Sequence, residues 1–363
     1  MSNIKELKNN KIAFHPGYYI EEYLEVTGLS QRDFAMRLGT TPKNISLLLR
    51  GEQRLSLDMA FKLSRLLDTS VEFWVNLQNQ YDFLIEEEKM EKEENKELEV
   101  LDILGYRYFR DNFGLKDLPR KKEEQVIELR KFLNVSSLLV LENVDMHVCY
   151  RGKAKESRES IIRANTMVQI ANNMVLKEKN TPNFDKQKFE SSIDDALLLT
   201  KDHRGFLELI TKYFYESGVN LVALPNLPSS KINGATKKIA NHVMLMINDR
   251  NHYSDSFWFT LMHEAGHIMS GKYGVSLEGE DSEEDAADKF AIEKLIPSEE
   301  YNEFIRKNSF SNNSIIEFAK KINRDPGIIV GRLQKENKVS YHNLEANRLK
   351  TRYSIVLEWD EEC

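Results

Sequence analysis

Residues 16–78 carry apolar side chains at spacings of three and four residues, which predicts a packed series of short helices. Ser30, Thr41 and Ser56 stand where N-capping side chains are expected, and Pro42 suits the first turn of a helix. Glycines separate the apolar groups and favour turns between them. The apolar positions are Ile20, Tyr23 and Leu24, then Phe34, Ala35 and Leu38, then Ile45, Leu48 and Leu49, and finally Ala60, Leu63, Leu66 and Leu67.

The composition changes after Asp82, because residues 86–99 are dominated by glutamate and lysine and offer almost no apolar face. A segment of this kind is typical of a solvated helical connector. Helical periodicity resumes over about 100–215, and we find neither a chemical motif nor an internal repeat there.

An alternating pattern replaces the helical one at residues 219–224, and a second extended run covers 242–248. These two runs predict a small sheet, and 242–248 is a candidate edge for pairing with a substrate strand. Helices are expected over 257–269 and 282–295, and a final strand over 353–359. The predicted fold class is therefore mainly α with a small β-sheet, an α+β arrangement.

The amino-acid composition excludes several classes of protein. The 363-residue chain has 51 basic and 58 acidic side chains, a net charge of −7, which excludes a uniformly basic surface but allows one basic module. Its two cysteines are too few for a disulfide framework or a four-cysteine zinc site. The first residues lack the apolar core of a signal peptide, and no stretch reaches the roughly 20 apolar residues of a membrane span. We expect a cytoplasmic protein without a membrane partner.

A candidate metal site lies in the apolar segment FWFTLMHEAGHIM. His263 and His267 are four residues apart, so on a helix both imidazoles lie on one face and can bind one zinc ion. Glu264 lies beside them, where it can take a proton from a water molecule and pass it to a leaving amine. This is the HExxH pattern of zinc peptidases, which also arises by chance. The apolar surroundings favour the metal site, because burying these polar groups unpaired costs several kcal/mol.

Catalytic zinc usually has three protein ligands, and the chain lacks the third histidine of the longer HExxHxxGxxH motif. The acidic helix that follows supplies candidates. With Ala287, Phe290, Ala291 and Lys294 on its inner face, Glu283 and Glu284 both fall near the edge of that face. Spacing alone does not choose between them, and either acid also suits a solvated first helical turn.

The stretch from about residue 209 to 297 resembles the ImmA/IrrE family of zinc peptidases. The similarity lies in the strand ending LVALPNLPSSKINGA, in FWFTLMHEAGHI and in EEDAADKFAIEKLIP. The resemblance implies a zincin-like fold with Glu284 as the third Zn²⁺ ligand and Asp288 as a hydrogen-bond acceptor that steadies a ligand histidine. Ala286 departs from the family, which often has an acid there. Family members cleave helix-turn-helix repressors.

Residues 30–50 have the spacing of a helix-turn-helix, in which Ala35 allows two helices to cross closely and Gly39 permits the turn. The second helix would enter the major groove of double-stranded DNA, with Asn44 suited to adenine and Lys43 to guanine or phosphate. A helical scaffold that only contacts proteins is the alternative. The residues expected at the DNA surface are Gln31, Arg32, Thr41, Lys43, Asn44, Ser46, Leu47, Arg50 and Arg54.

Residues 15–82 also resemble the HigA-type branch of the XRE repressor family. The specific similarities are the opening His15-Pro16-Gly17 and the ending from Phe73-Trp74 to Tyr81-Asp82. The resemblance implies an antitoxin that forms a homodimer and represses its own promoter by binding operator DNA.

Together these patterns predict three regions. They are a helix-turn-helix DNA-binding domain at 1–83, a charged connector and helical middle region at 84–208, and a metallopeptidase domain at 209–363.

The predicted protein is a transcriptional regulator that cleaves a repressor or antitoxin partner, or itself, with Glu264 as the base. The alternative is a non-proteolytic antitoxin or repressor whose peptidase-like domain senses a signal or binds a toxin partner. Tyr341 and His342 are late candidates for stabilising the oxyanion, although an ordinary packed tyrosine and a surface histidine are the preferred interpretation.

Overall fold

The computed structural model describes residues 3–143, 150–151, 157–277 and 284–357, apart from the side chains of residues 9, 150–151, 276–277 and 284–285. The chain folds into two compact units, residues 1–96 and 97–363. Helices predominate and the sheets are small, so the predicted α+β class is confirmed. The predicted borders at residues 83 and 208 stay predictions.

The first unit begins with a hairpin of two short strands that the hydrophobic pattern did not predict. Four short helices follow, and their apolar faces enclose a core around the fully buried Phe34, Ala35 and Ile45, as the spacing predicts. The elements are β1 (Ile4–Glu6), β2 (Ile12–Phe14), α1 (Pro16–Thr27), α2 (Gln31–Arg37), α3 (Pro42–Leu49) and α4 (Leu57–Leu67).

The helix starts in this unit follow the predicted capping residues. Ser30, Thr41 and Ser56 each accept a hydrogen bond from the backbone N–H three residues later, which confirms them as N-caps. The next helix, α5 (Val71–Leu104), is continuous through the glutamate- and lysine-rich stretch 86–99, so the predicted helical connector is confirmed as helix.

The second unit contains most of the helices, and none of the described helices in either unit is long and apolar enough to cross a bilayer. Residues 100–215 are largely helical, as predicted. The helices are α6 (Tyr106–Phe113), α7 (Lys122–Leu133), α8 (Arg158–Lys177), α9 (Lys186–Leu198), α10 (Phe206–Glu216), α11 (Ser254–Ser270), α12 (Glu284–Leu295), α13 (Ser298–Arg306), α14 (Asn312–Lys321), α15 (Pro326–Lys335) and α16 (Leu344–Asn347).

The second unit is organised around a five-stranded sheet with the order β3-β7-β5-β6-β4. β4 pairs in parallel with β6, with Val219 opposite Val243, which confirms the predicted sheet. The three further strands, β3, β5 and β7, were not predicted. The strands are β3 (Tyr150–Arg151), β4 (Val219–Leu224), β5 (Ile232–Ile239), β6 (His242–Asn248) and β7 (Gly274–Leu277).

Two strand predictions are wrong. The run 242–248 does not form a sheet edge, because β6 is hydrogen-bonded to β5 on one side and to β4 on the other. The predicted final strand fails over 353–357, which is not in a strand, and Arg352 makes only an isolated bridge with Tyr253. Residues 358–359 lie outside the described part of the chain.

Helices cover both faces of the sheet. Side chains alternate between the faces along a strand, so Val243 and Leu245 of β6 join one apolar core while Met244 and Met246 join another. The first core includes the apolar side of α11, and the second includes residues of α6 to α8. Helix α11 is therefore fixed against the sheet by its own apolar side chains.

Candidate metal centre and nucleic-acid interface

Helix α11 brings His263, Glu264 and His267 together in the interior of the second unit. The Nε2 atoms of the two histidines are 3.0 Å apart and their ring centroids 4.7 Å apart. Glu264 is fully buried, and His263 and His267 are 8% and 1% exposed. The two imidazole nitrogens therefore converge on one point beside a buried carboxylate, as the four-residue spacing predicts.

Asp288 on α12 orients His263. Its Oδ1 lies 2.8 Å from Nδ1 of His263, a contact that favours a proton on Nδ1, and Nε2 faces His267. Nζ of Lys335 lies 3.3 Å from the other oxygen of Asp288 and 4.5 Å from the ring centroid of Phe259. Burial acts to raise the pKa of Asp288, but the hydrogen bond with His263 and the charge of Lys335 outweigh it and lower that pKa. Sequence reasoning did not identify Lys335.

Two glycines allow the elements around Glu264 to approach one another. A Cβ atom on Gly234 of β5 would lie 2.6 Å from Cγ of Glu264, so a side chain there would displace the carboxylate. A Cβ on Gly266 would lie 3.1 Å from the ring of Phe290, and its absence lets α12 pack closely on α11. That close packing brings Asp288 within reach of His263.

A buried ion pair holds the N-terminal end of α11. Nζ of Lys350 lies 2.9 Å from Oδ2 of Asp255, and both side chains are about one tenth exposed. Burial raises the pKa of Asp255, against the opposing charge of Lys350. The N–H of Ser254 also donates to the carbonyl of Thr351 at 2.8 Å. These contacts join the start of α11 to the C-terminal segment.

The two histidines fit a zinc ion. Tetrahedral zinc with nitrogen bonds of about 2.0–2.1 Å needs ligand nitrogens about 3.3 Å apart, which is close to the 3.0 Å observed between the Nε2 atoms. No three-residue group of His, Cys, Asp or Glu that could hold a metal occurs among the described residues. Glu283 lies outside them, and Glu284 begins α12 but its side chain is not described. The assignment of the third ligand therefore stays a prediction.

Tyr341 and His342, the candidates for stabilising an oxyanion, lie in a turn between α15 and α16. Tyr341 is 60% exposed and its carbonyl accepts a hydrogen bond from Asn347. His342 is exposed, and its backbone N–H donates to Ser340. The surface position expected for His342 agrees with this arrangement, whereas Tyr341 is exposed and not packed as expected.

Helix α3 carries the residues predicted to contact bases. Thr41 and Lys43 are exposed, whereas Asn44 and Ser46 are half-buried. The backbone N–H of Asn44 donates to Oγ1 of Thr41, and its side-chain amide donates to Oγ1 of Thr40, both at 3.2 Å. The hydroxyl of Thr41 thus caps α3, and Lys43 and Asn44 lie in the first turn of the helix.

The side chains predicted to contact phosphates are on the surface of the first unit. Gln31 and Arg32 are exposed in the first turn of α2. Arg50 lies 3.1 Å from Glu52, and Arg54 lies 2.7 Å from Asp82. These pairs are largely exposed, so their carboxylates compete only weakly for the guanidinium groups.

Comparison with known families gives two separate matches. Residues 20–74 match a family described as Helix-turn-helix, and this segment contains α2 and α3. Residues 217–321 match the family Peptidase_M78, described as the IrrE N-terminal-like domain. The second match contains β4 to β7 and α11 to α14, and therefore the converging histidines, Glu264 and Asp288.

Individual relatives each match about a fifth of the chain. The uncharacterized HTH-type transcriptional regulator YddM of Escherichia coli (strain K12) is 41% identical over 81 residues, 22% of this chain and 85% of that protein. The virulence-associated protein I of Dichelobacter nodosus is 34% identical over 82 residues, 22% of this chain and 76% of that protein. A solved addiction module antidote protein of a HigA family from Coxiella burnetii is 29% identical with a TM-score of 0.22, covering 23% of this chain and 92% of that chain.

Proposed function

This chain belongs to the helix-turn-helix family of transcriptional regulators, and we propose that it binds operator DNA and is also a zinc-dependent endopeptidase. The proposal places DNA binding in residues 1–83 and peptide hydrolysis in 209–363. The substrate is a repressor or antitoxin partner, or the chain itself. The observation that carries the peptidase proposal is the convergence of two imidazoles, 3.0 Å apart, beside the buried Glu264.

His263, His267 and Glu284 are the proposed zinc ligands. Zinc, when bound, supplies a Lewis acid that activates water for attack on a peptide carbonyl. Asp288 would accept a hydrogen bond from Nδ1–H of His263 and so keep this histidine in the tautomer whose Nε2 can bind the metal. The 2.8 Å contact between these two side chains supports that role.

Glu264 is the proposed general base. Glu264 follows His263 directly in α11, and its carboxylate is enclosed by the backbone of β5 at Gly234. From this position it would take a proton from the attacking water and deliver it to the leaving nitrogen. The enclosure limits the carboxylate to a small range of positions. This restriction favours transfer of the proton from the water to Glu264 and then to the leaving nitrogen, and disfavours exchange of that proton with bulk solvent.

The DNA-binding proposal rests on α3 and the surface around it. Lys43 and Asn44 would read base edges, with Thr41 and Ser46 beside them, because the first turn of a recognition helix enters the major groove. The exposed residues Gln31, Arg32 and Arg50 would contact phosphates. A homodimer would match an operator with an inverted repeat.

The experiment that tests the peptidase proposal uses Glu264→Gln in the full-length protein. Glutamine keeps the size of the side chain but does not accept the proton, so we expect unchanged zinc content and cleavage slower by about 10²–10⁴-fold. The zinc-loaded protein is incubated with the product of the adjacent gene, and also alone, and fragments are identified by mass spectrometry.

His263→Ala is the matched control, since this variant should lose both zinc and cleavage. Cleavage that persists at the wild-type rate in Glu264→Gln would contradict the assigned base. Zinc binding without any fragments in the wild-type protein would instead favour a non-proteolytic antitoxin or repressor whose C-terminal domain senses a signal or binds a partner.

A further inference from the structure

A groove runs along the open edge of the large sheet, away from the candidate metal centre. β4 is the last strand in the sheet order, and no further strand pairs with it within the described residues. The groove has a volume of about 390 Å³. Its walls come from the C-terminal end of α8 and from one side of α10, and residues 220–223 of β4 form its floor.

The backbone of β4 has hydrogen-bonding groups directed into this groove. The N–H of Val243 in β6 donates to the carbonyl of Gly218 at 2.9 Å, and Val219 lies opposite Val243 in the parallel register. Backbone groups alternate in direction along a strand, so those of Leu221 and Ala223 point away from β6. Both residues line the groove.

The edge of β4 is recessed between the two helices. Leu221 and Val222 are only 7% exposed, although they belong to an edge strand. A recess of this shape admits one extended chain, whereas the edge of a second sheet flanked by its own helices is too bulky to enter. We propose that β4 binds an extended segment of a partner protein, which adds to the sheet as a sixth strand.

The side chains of the groove indicate a basic partner segment. Glu208 and Lys212 lie on the groove side of α10 and Glu178 on the opposite wall. Neither glutamate has an ion pair with any residue whose side chain is described. The walls of the groove carry two carboxylates and one ammonium group, so their net charge is negative. Oδ1 of Asn220, which is 6% exposed, has no hydrogen-bond partner among the described residues. Lysine or arginine side chains would pair with the two carboxylates, and apolar ones would cover the wall formed by Met174.

This binding is separate from peptide hydrolysis. One strand, β6, lies between β4 and β5, and β5 is the strand whose Gly234 meets Glu264 of α11. The groove therefore recruits a partner whether or not the peptidase site is active, and binding is the property to measure.

The test uses a fluorescent heptapeptide that alternates valine with lysine, added to the full-length protein and followed by fluorescence anisotropy. A second peptide has the same sequence but carries N-methyl groups on alternate residues, which removes its hydrogen-bond donors along one edge. A third has glutamate in place of lysine. We expect the N-methylated and acidic peptides to bind at least about tenfold more weakly than the first.

The variant Glu178→Lys/Glu208→Lys is expected to weaken binding of the basic peptide by at least about tenfold. Glu190→Lys/Glu216→Lys is the matched control, because both glutamates are exposed on α9 and α10 but do not line the groove. Binding of the basic peptide should be retained in this control, and circular dichroism should show that both variants are folded.

Equal binding of all three peptides, or no binding of any, would overturn the proposal. Sedimentation of Glu178→Lys/Glu208→Lys in the absence of peptide is a further test. A change of oligomeric state in this variant would also overturn the proposal, because it would show that a second copy of the chain fills the groove. Each outcome is independent of cleavage by the peptidase site.

Discussion

Glu264 owes its enclosed position to a residue without a side chain on the facing strand. Gly234 leaves room where a Cβ atom would lie 2.6 Å from Cγ of Glu264. His263 is held in a similar way by a partner from another element, since Asp288 reaches its Nδ1 at 2.8 Å. The identity of the three residues on α11 was evident from their spacing, but the residues that fix their orientation come from β5, α12 and α15.

Gly234→Ala tests the importance of this enclosure. The added methyl group must push the carboxylate of Glu264 away from its position, and a displacement of about 1 Å lowers catalytic rates by about 10²-fold. We expect that loss in cleavage rate with unchanged zinc content, measured by fragment quantification and metal analysis. Gly205→Ala is the control, because a Cβ there meets Asp202 only at 3.6 Å. Full activity in Gly234→Ala would show that Glu264 does not need this enclosure.

Among the elements, α3 and α11 are the two whose local sequence determined most of their structure. Helix α3 begins at the predicted cap Thr41 and contains Pro42 in its first turn, and its buried face is the one that the apolar spacing predicted. Helix α11 was predicted over 257–269 and is observed over Ser254–Ser270. The neighbours of β5 were less evident, because its pairing with β7 joins residues that are distant in sequence, such as Ala235 and Val275.

Lys43→Ala/Asn44→Ala tests the role of α3 as the recognition helix. Loss of base contacts should cost about 1–3 kcal/mol per contact at the preferred operator and leave binding to unrelated DNA much less affected. The measurement compares affinities for a short inverted repeat and for random DNA at one fixed salt concentration. Lys62→Ala on α4 is the control, since Lys62 pairs with Asp58 on its own helix. An unchanged sequence preference in the double variant would place the recognition surface elsewhere.

At the scale of the whole molecule, the chain divides into two compact units with separate apolar cores. The candidate metal ligands belong to the second unit and the candidate DNA-binding residues to the first. A metal stabilises the unit that binds it by its binding free energy, and the other unit gains nothing directly from that binding.

Removal of zinc with a chelator should therefore affect the two units differently. The unfolding temperature of the second unit should fall, because saturation at about 100 times Kd contributes about 2.7 kcal/mol. Operator binding by the first unit should persist. Differential scanning calorimetry and a DNA mobility-shift assay, each with and without chelator, measure the two effects. His263→Ala should show no response to the chelator, and a loss of operator binding on chelation would contradict the separation.

The features that depend on neighbouring residues along the chain could be predicted from the amino-acid sequence. These are the helical repeats, the capping residues, the mainly α class and the placing of His263, Glu264 and His267 on one helix, because helix formation and helical spacing are local properties.

Three features became evident only from the three-dimensional packing: the strand order, the contacts of Asp288 and Lys335 around His263, and the close approach of Gly234 to Glu264. The segment of β5 contains glycine and lysines and has no strong strand pattern, so its pairing with β6 was missed and β6 was wrongly taken as an edge. The pairings of β4 with β6 and of β5 with β7, like the contacts around His263, join residues far apart in the chain, and spacing along the sequence does not determine them.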